Sequence, residues 1–571
     1  MDREKQKRIR RSKEKKEGNK KNKKIKAIMV IMAVIVMGII GYIANDYIIL
    51  DKNKNINLVI NNRNVTLNLK KPIMIEKEEI YISKQDIGNF FDKYIYEEKQ
   101  NNQIVTTYDS KIAELSLENN KIRINGTNKD TYAHAIKRED TIYIPIQEMQ
   151  EIYGIEIEYK AEAKVVAIDS IAREQKKAII AKDVAVKSST RIIAKTIDRV
   201  KKGSYVIVIS DENGYAKIRT ESGKIGYVKS NKIANTVVVR ESIEKEEQNK
   251  EKINLVWDYF STYAKAPNRT GEKMEGVNVV SPAFFHLDSN GELQENVGDK
   301  GQAYIEWAHS NGYKVWPMVQ NAGEGMLTVT SEIMNDYNKR QKLIEEIFAV
   351  CVKYKLDGIN IDFENMKQED KNLFSRFIIE LTPRLKSIGL NVSVDVTAPD
   401  GSETWSLCFD RHVIGDVADY IVFMAYDQYG ASSNKSGTTA GYDWVKVSLK
   451  KFLDTEEIKS EKIILAIPLY TRLWTENING EIVKQSPVSI KSIEKVIPKD
   501  LGKKWDDNLR QYYVEYTEGS NIKKMWIEDE KSLKEKISLV TEYNLGGVAS
   551  WAKDMETENF WSFLQKCLTL K

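Results

Sequence analysis

The fold of this chain is decided by one stretch, Leu356-Asp357-Gly358-Ile359-Asn360-Ile361-Asp362-Phe363-Glu364-Asn365. Side chains of a β-strand alternate between two faces, so Asn360, Asp362 and Glu364 share one face and apolar side chains occupy the other. Helix-like stretches precede and follow it, at residues 337–355 and 368–388. This alternation predicts a parallel sheet covered by helices, in which a polar strand face is costly unless its groups are paired or used. We therefore predict a functional site; the alternative is an edge strand whose polar face is simply hydrated.

The two carboxylates of this face suit acid–base chemistry. Asp362 and Glu364 are two residues apart, which corresponds to about 6.5–7 Å along a strand. At that spacing each charge raises the pKa of the other group, so one carboxyl group can stay protonated and act as a general acid.

Four motifs in the C-terminal part resemble those of one enzyme family. Asp357-Gly-Ile-Asn-Ile-Asp-Phe-Glu364 resembles the DGxDxDxE motif of glycoside hydrolase family 18, which includes chitinases and endo-N-acetylglucosaminidases. The other three follow in the family's order, at Phe423-Met-Ala-Tyr-Asp427, Ala466-Ile-Pro-Leu-Tyr-Thr-Arg472 and Gly546-Gly-Val-Ala-Ser-Trp551. The resemblance covers residues 252–571 and implies that this domain is an α/β fold, a (β/α)8 TIM barrel.

The pattern of apolar segments agrees with such a barrel. Eight candidate strands alternate with helical stretches, at residues 253–257, 276–280, 314–319, 358–363, 391–396, 420–424, 462–467 and 547–550. Active sites of these barrels lie at the carboxyl ends of the strands, where Glu364, Tyr426, Arg472 and Trp551 are predicted to sit. Residues 476–530 resemble the insertion that walls one side of the family's cleft.

The resemblance also implies substrate-assisted hydrolysis, which needs no enzyme nucleophile. Glu364 is then the general acid, while the substrate's own 2-acetamido carbonyl attacks the anomeric carbon. Asp362 orients that acetamido group and Tyr426 hydrogen-bonds its oxygen. The residues predicted to bind substrate are Trp551 under the sugar, Trp257 as a second aromatic wall, Asp427, Arg472 and Asp357.

One position departs from the family pattern, because Asn360 stands where the motif has its first Asp. That Asp is usually the inner member of a carboxylate pair that shares a proton. Asn360 cannot share a proton with Asp362, although an amide can hydrogen-bond to it. The same substitution is found in the branch that resembles spore-cortex and cell-wall N-acetylglucosaminidases, so we interpret it as a branch marker. With only Asp362 and Glu364 coupled on the strand face, we expect a bell-shaped pH profile with a mildly acidic optimum.

The first 44 residues predict a membrane anchor. Residues 1–26 hold fourteen Lys or Arg against four acids, and residues 27–44 carry no charge. Eighteen apolar residues at 1.5 Å each just span a hydrocarbon core of about 30 Å, and the basic flank places the N-terminus in the cytoplasm. We predict a single-pass cell-membrane protein that contacts lipid through this transmembrane helix and carries the catalytic domain outside the cytoplasm. A cleaved signal peptide is the alternative.

Two small β-rich extracytoplasmic modules are predicted between the anchor and the barrel. Residues 56–170 contain a near-repeat, in which a strand and short helix at 79–87 recur at 141–149. This module resembles the stalk modules called copper amine oxidase N-terminal-like domains, and we interpret it as a spacer. Residues 178–240 resemble bacterial SH3-like domains, which often bind cell-wall peptide; a purely structural module is the alternative.

Composition argues against two other classes of protein. The net positive charge of residues 1–26 is larger than the net charge of the whole chain, which is +5. The rest of the chain is therefore mildly acidic, and nucleic acid is not an expected partner. The three cysteines and four histidines follow no metal-ligand spacing, so neither a metal nor another cofactor is expected. The expected partner is peptidoglycan or another N-acetylglucosamine polymer. Chitin is the alternative substrate, and a non-catalytic wall-binding lectin is the alternative function.

Overall fold

The computed structural model describes residues 56–191, 193–243, 251–261 and 263–569. They form two compact units, one built from residues 56–90 with 136–243 and the other from residues 91–135 with 251–569. The predicted anchor, residues 27–44, lies outside the described residues. Within the described residues no helix combines the length and apolar character needed to cross a membrane.

Eight parallel strands form a closed barrel in the second unit. We number them barrel strands 1–8 in chain order: Ile253–Asp258, Val279–Pro282, Lys314–Val315 continued by Met318–Gln320, Gly358–Asp362, Asn391–Val396, Tyr420–Met424, Ile463–Pro468 and Gly547–Trp551. The two segments of strand 3 pair with strand 2 and with strand 4, and strand 8 pairs with strand 1, so the ring closes. The predicted TIM barrel is confirmed. Strand 2 begins three residues later than predicted because Gly276 adopts a left-handed conformation, with φ of 72°.

Helices cover the outside of the barrel, and apolar side chains fill its inside. The α-helices of seven or more residues in this unit are Gly298–Ser310, Met326–Asn335, Tyr337–Tyr354, Lys371–Lys386, Arg411–Val417, Tyr442–Lys450, Glu530–Glu542 and Phe560–Thr569. Inside the ring, Trp257, Trp316 and Val422 are fully buried and pack with small residues such as Ala549. This packed interior lies directly below the carboxyl ends of the strands, where the active sites of such barrels are found.

An antiparallel sheet follows barrel strand 7. Its five strands are Tyr470–Glu476, Ile482–Ser489, Lys504–Asp506, Gln511–Glu518 and Asn521–Ile527. The sheet begins at Tyr470, six residues before the insertion predicted at 476–530, because the chain re-enters an extended conformation directly after strand 7. Arg472 therefore belongs to this sheet and lies beyond the end of the barrel strand.

A second antiparallel sheet, residues 91–135, also belongs to the barrel unit. Its strands are Tyr96–Glu98, Gln103–Tyr108, Lys111–Ser116, Lys121–Ile124 and Thr127–Asp130. The Tyr96 hydroxyl donates to the fully buried Glu380 carboxylate at 2.8 Å, and Arg340 pairs with the same carboxylate at 3.3 Å. The central part of the predicted 56–170 module thus packs on the barrel helices.

The first unit contains three sheets. Two four-stranded sheets hold, in spatial order, Ile155–Lys160, Val165–Ser170, Asn57–Ile60 and Arg63–Asn64, and then Ile136–Arg138, Thr141–Pro145, Glu79–Ser83 and Met74–Glu76. The two strands of the near-repeat, Glu79–Ser83 and Thr141–Pro145, pair with each other antiparallel, and each runs into a short helix. A seven-stranded sheet holds Thr196–Val200, Val184–Lys187, Ile225–Lys229, Tyr215–Arg219, Tyr205–Glu212, Gln175–Ile180 and Ile233–Arg240.

Candidate active site

Glu364 is held at the mouth of the barrel through its backbone. It follows barrel strand 4, and its N–H donates to the side-chain oxygen of Asn321 at 2.8 Å. The Asn321 amide donates back to the Glu364 carbonyl at 2.9 Å and to Thr330 at 3.0 Å. Asn321 directly follows strand 3, so two neighbouring strand ends fix the position of Glu364 independently of its carboxyl group.

The two predicted carboxylates of strand 4 have separated pKa values. Burial and, to a smaller extent, the charges of Asp362 and Asp427 together raise the pKa of Glu364 to about 8. Burial raises the pKa of Asp362 to about 6, against the hydrogen bond that its Oδ2 accepts from Gln320 at 2.9 Å. Between these values Glu364 keeps its proton and Asp362 carries a charge, which are the states that an acid and an electrostatic partner need.

Asn360 is fully buried and uses all four of its hydrogen-bonding positions. Its oxygen accepts from the Trp257 indole at 2.8 Å and from Ser281 at 3.3 Å. Its amide donates to Ser393 at 3.0 Å and to Asp395 at 2.7 Å. Asn360 therefore does not form the hydrogen bond to Asp362 that an amide could make, because side chains of other strands occupy every donor and acceptor of the amide.

Trp257 does not form the predicted second wall of the sugar site. Its side chain is fully buried inside the ring, where its indole N–H is committed to Asn360. The ring instead supports Trp551 from below, edge to face, with centroids 5.6 Å apart. A side chain with no accessible surface cannot contact a sugar, so we correct this prediction to a supporting role.

Asp395 on barrel strand 5 is a carboxylate that the sequence analysis missed. It is almost fully buried, and its Oδ1 accepts from Asn360. Burial raises its pKa well above the usual range, and the nearby charge of Asp362 adds to the effect. The expectation that only Asp362 and Glu364 are coupled is thus incomplete, because a third carboxyl group lies on the next strand.

The remaining predicted residues at this end form an aromatic and charged rim. The ring of Tyr426 lies 6.4 Å from that of Trp551 and 6.3 Å from that of Tyr470, and Tyr426 and Trp551 are both partly exposed. Asp427 accepts from the Tyr470 hydroxyl at 2.7 Å and from Arg472 at 2.9 Å. The ion pair draws Arg472 to the rim from the inserted sheet. Tyr470 was not singled out from the sequence, although it lies within a quoted motif.

Asp357 lies at the opposite end of the barrel. It precedes strand 4, accepts from the Val315 N–H at 2.9 Å and lies 2.8 Å from His309 Nε2. Glu364 follows it by seven positions, and an extended chain of that length spans roughly 20 Å. Its prediction as a substrate-binding residue is wrong; Asp357 joins the start of strand 4 to that of strand 3.

No group of three or more His, Cys, Asp or Glu side chains in the described ranges is arranged to hold a metal ion. The site therefore consists of the carboxyl groups of strands 4 and 5 under an aromatic rim.

Residues 254–556 match the family model of Glycosyl hydrolases family 18. This chain belongs to glycoside hydrolase family 18. Membership confirms the predicted glycosidase class. A second model, Copper amine oxidase N-terminal domain, matches residues 47–168 and confirms that resemblance, whereas the SH3-like character of residues 178–240 stays a prediction.

Proteins of Bacillus subtilis are among the relatives of this family 18 member. It is 26% identical over 298 residues to the uncharacterized glycosylase YvbX of Bacillus subtilis, and the matched region covers 51% of this chain and 84% of YvbX. It is 24% identical over 238 residues to the cortical fragment-lytic enzyme of Bacillus subtilis, covering 41% of this chain and 54% of that enzyme. The crystal structure of a chitinase from Chromobacterium violaceum shares the fold over 56% of this chain and 100% of the chitinase, with a TM-score of 0.50 and 22% identity.

Proposed function

We propose that this family 18 enzyme is anchored in the cell membrane and cleaves β-1,4 linkages after N-acetylglucosamine in peptidoglycan by the substrate-assisted, retaining mechanism. The observation that carries the chemistry is the pair of carboxyl groups at the end of strand 4, where burial raises the pKa of both Asp362 and Glu364 and that of Glu364 further. The relationship to a cortical fragment-lytic enzyme and the predicted anchor both favour a cell-wall substrate.

Glu364 acts first as the acid and then as the base. Its proton passes to the glycosidic oxygen as the bond to the leaving sugar breaks. The 2-acetamido carbonyl oxygen of the substrate attacks the anomeric carbon and forms an oxazolinium ion, so the enzyme supplies no nucleophile. The Glu364 carboxylate then takes a proton from the water that opens this ring, and the anomeric configuration is retained.

Asp362 and Tyr426 stabilise the charge that develops. The Asp362 carboxylate accepts from the acetamido N–H and faces the positive oxazolinium ion from a buried position, where electrostatic interactions are strong. The Tyr426 hydroxyl donates to the acetamido oxygen, and Trp551 provides an apolar face beneath the sugar. All these interactions need a 2-acetamido group at the cleaved position, which restricts the substrates to N-acetylglucosamine-type sugars.

The activity is expected to follow a bell-shaped pH profile, with its acid limb near pH 6 and its alkaline limb near pH 8. Below the lower limb Asp362 gains a proton and loses the charge that stabilises the intermediate. Above the upper limb Glu364 loses the proton that it must donate. The optimum then lies near neutral pH, less acidic than the sequence analysis suggested. Initial rates on N-acetylglucosamine oligomers between pH 4 and pH 10 test this, and a profile flat across both limbs would contradict the assignment.

Digestion of purified sacculi by the full chain, followed by mass spectrometry of the new reducing ends, tests the substrate. We expect reducing-end N-acetylglucosamine, because the proposed cleavage after N-acetylglucosamine leaves this sugar at the new end. Reducing-end muramic acid would contradict the proposal. Release from chitin oligomers without release from sacculi would support the chitinase alternative, which the shared fold with a chitinase favours. Binding to sacculi without release from either polymer would support the lectin.

Protease treatment of intact protoplasts tests the proposed location. We expect added protease to remove the barrel and to leave a small membrane-bound N-terminal fragment, because the basic flank keeps residues 1–26 inside. A mature protein found entirely in the medium, starting near Asn45, would show that residues 27–44 act as a cleaved signal.

A further inference from the structure

We propose that Asp395 carries a proton at neutral pH and donates a hydrogen bond through it to the Asp362 carboxylate, so that barrel strand 5 supplies the inner carboxyl group that Asn360 cannot supply on strand 4. Asp395 is then a positioning residue that acts through Asp362. Its catalytic role rests on the proposed function, whereas its protonation is a property of the resting protein.

The register of strands 4 and 5 brings the two aspartates together. Asn360 is paired with Ser393 and Ile361 with Val394, so the next position sets Asp362 beside Asp395. Neighbouring strands lie about 4.8 Å apart, and residues at equal positions point to the same face. Both aspartates are buried, with 6% and 1% of their surfaces exposed. Two carboxyl groups therefore share one enclosed space inside the barrel.

The hydrogen bonds around this pair leave one oxygen of each aspartate without a donor. Asp395 Oδ1 accepts from Asn360, and Asp362 Oδ2 accepts from Gln320. Asp395 Oδ2 and Asp362 Oδ1 are buried and have no hydrogen-bond partner among the described residues. Leaving buried acceptors unpaired is costly, and two adjacent buried anions would also repel each other. A single proton between the two oxygens removes both costs.

The surroundings place that proton on Asp395. The ionisable groups that face it are Asp362 and Glu364 from strand 4 and Tyr426 from the end of strand 6. Burial and the Asp362 charge raise the pKa of Asp395, and they outweigh the opposing effects of the Asn360 amide and the nearby Trp257 indole. Asp362 titrates lower, near 6, because the hydrogen bond that it accepts from Gln320 opposes the effect of burial.

The consequence for catalysis concerns the charge below Glu364. With Asp395 neutral, the three carboxyl groups carry one negative charge between pH 6 and pH 8, and that charge sits on Asp362. The proton on Asp395 holds the Asp362 carboxylate by a hydrogen bond and favours its ionised form. Asn360 contributes by holding Asp395 in place at 2.7 Å, so the amide at position 360 and the acid at position 395 work as a pair.

Infrared difference spectroscopy at pH 7 tests the protonation without any substrate. The spectrum of the full chain minus that of Asp395→Asn, which is nearly isosteric, should contain a carboxylic-acid C=O band that belongs to Asp395. The matched control is Asp400→Asn, an exposed aspartate that follows the same strand, whose difference spectrum should contain only carboxylate bands. Carboxylate bands alone for Asp395→Asn would overturn the proposal, whatever the enzyme's substrate proves to be.

The pH profile tests the direction of the effect. Asp395→Ala removes the donor, so the pKa of Asp362 should rise and the acid limb should move up by about one pH unit. Asp395→Asn supplies an amide donor at the same place and should return the limb towards its original position. If Asp395 were an anion, both variants would remove a neighbouring negative charge and move the limb down. A downward shift in both variants would therefore overturn the proposal. If the unsubstituted chain hydrolysed no substrate, that result would instead reject the proposed function.

Discussion

Replacing Glu364 by Gln is expected to lower the rate of hydrolysis by a factor of about 10²–10⁴ or more, with sugar binding nearly intact. Gln has almost the same size as Glu but has no proton to donate to the glycosidic oxygen. The backbone at this position is held by Asn321 from strand 3, so the side chain should keep its place. Steady-state rates and calorimetric binding of N-acetylglucosamine oligomers measure the two quantities separately.

Glu369→Gln is the matched control for Glu364→Gln. Glu369 is exposed and lies five residues further along the same connection, so its replacement makes the same chemical change away from the cleft. We expect the control to hydrolyse substrate at the original rate. If Glu364→Gln kept more than about a tenth of the original activity, Glu364 would not be the general acid.

Replacing Asp362 by Asn is expected to lower kcat by a factor of about 10²–10³, which is typical for the loss of one group that stabilises developing charge. The amide has no negative charge to place against the oxazolinium ion. Because Asn does not titrate, the acid limb near pH 6 should also disappear, while the alkaline limb of Glu364 remains. The pH dependence of kcat over both limbs measures this outcome.

The exposed Asp400 again provides the control, as Asp400→Asn should leave both limbs unchanged. An acid limb that persisted near pH 6 in Asp362→Asn would assign that titration to another group. Removal of the Asp362 charge should also lower the pKa of Glu364, since that charge contributes to its upward shift. The alkaline limb should therefore move down rather than up.

The sequence predicted the chemistry of strand 4 because alternation along one strand is a local property. Asn360, Asp362 and Glu364 follow the period of two, and no tertiary information is needed to place them on one face. The same alternation in strand 5 aligns Ser393 with Asp395. Their relation to strand 4 depends on the register between strands, which the order of residues along either strand does not contain.

The wrong predictions concern residues whose role depends on how deeply they are buried or on the end of the barrel at which they lie. Trp257 lies on the inner face of strand 1, but only the packed ring shows that it sits below the surface rather than at it. Asp357 belongs to the same motif as Glu364, yet the strand between them carries it to the other end of the barrel. The assignment of residues 91–135 to the stalk module agrees with the family model that matches residues 47–168, but the near-repeat that flanks them does not reveal that they pack on the barrel helices.

The measurement that tests the central claim most directly is the anomeric configuration of the first product. Proton NMR during cleavage of an N-acetylglucosamine oligomer, recorded faster than mutarotation, identifies the anomer at the new reducing end. Attack by the substrate's own acetamido group, followed by water opening the oxazolinium ion, gives net retention, so the β-anomer is expected to appear first. Initial appearance of the α-anomer would mean direct displacement by water and would contradict the mechanism assigned to Glu364 and Asp362.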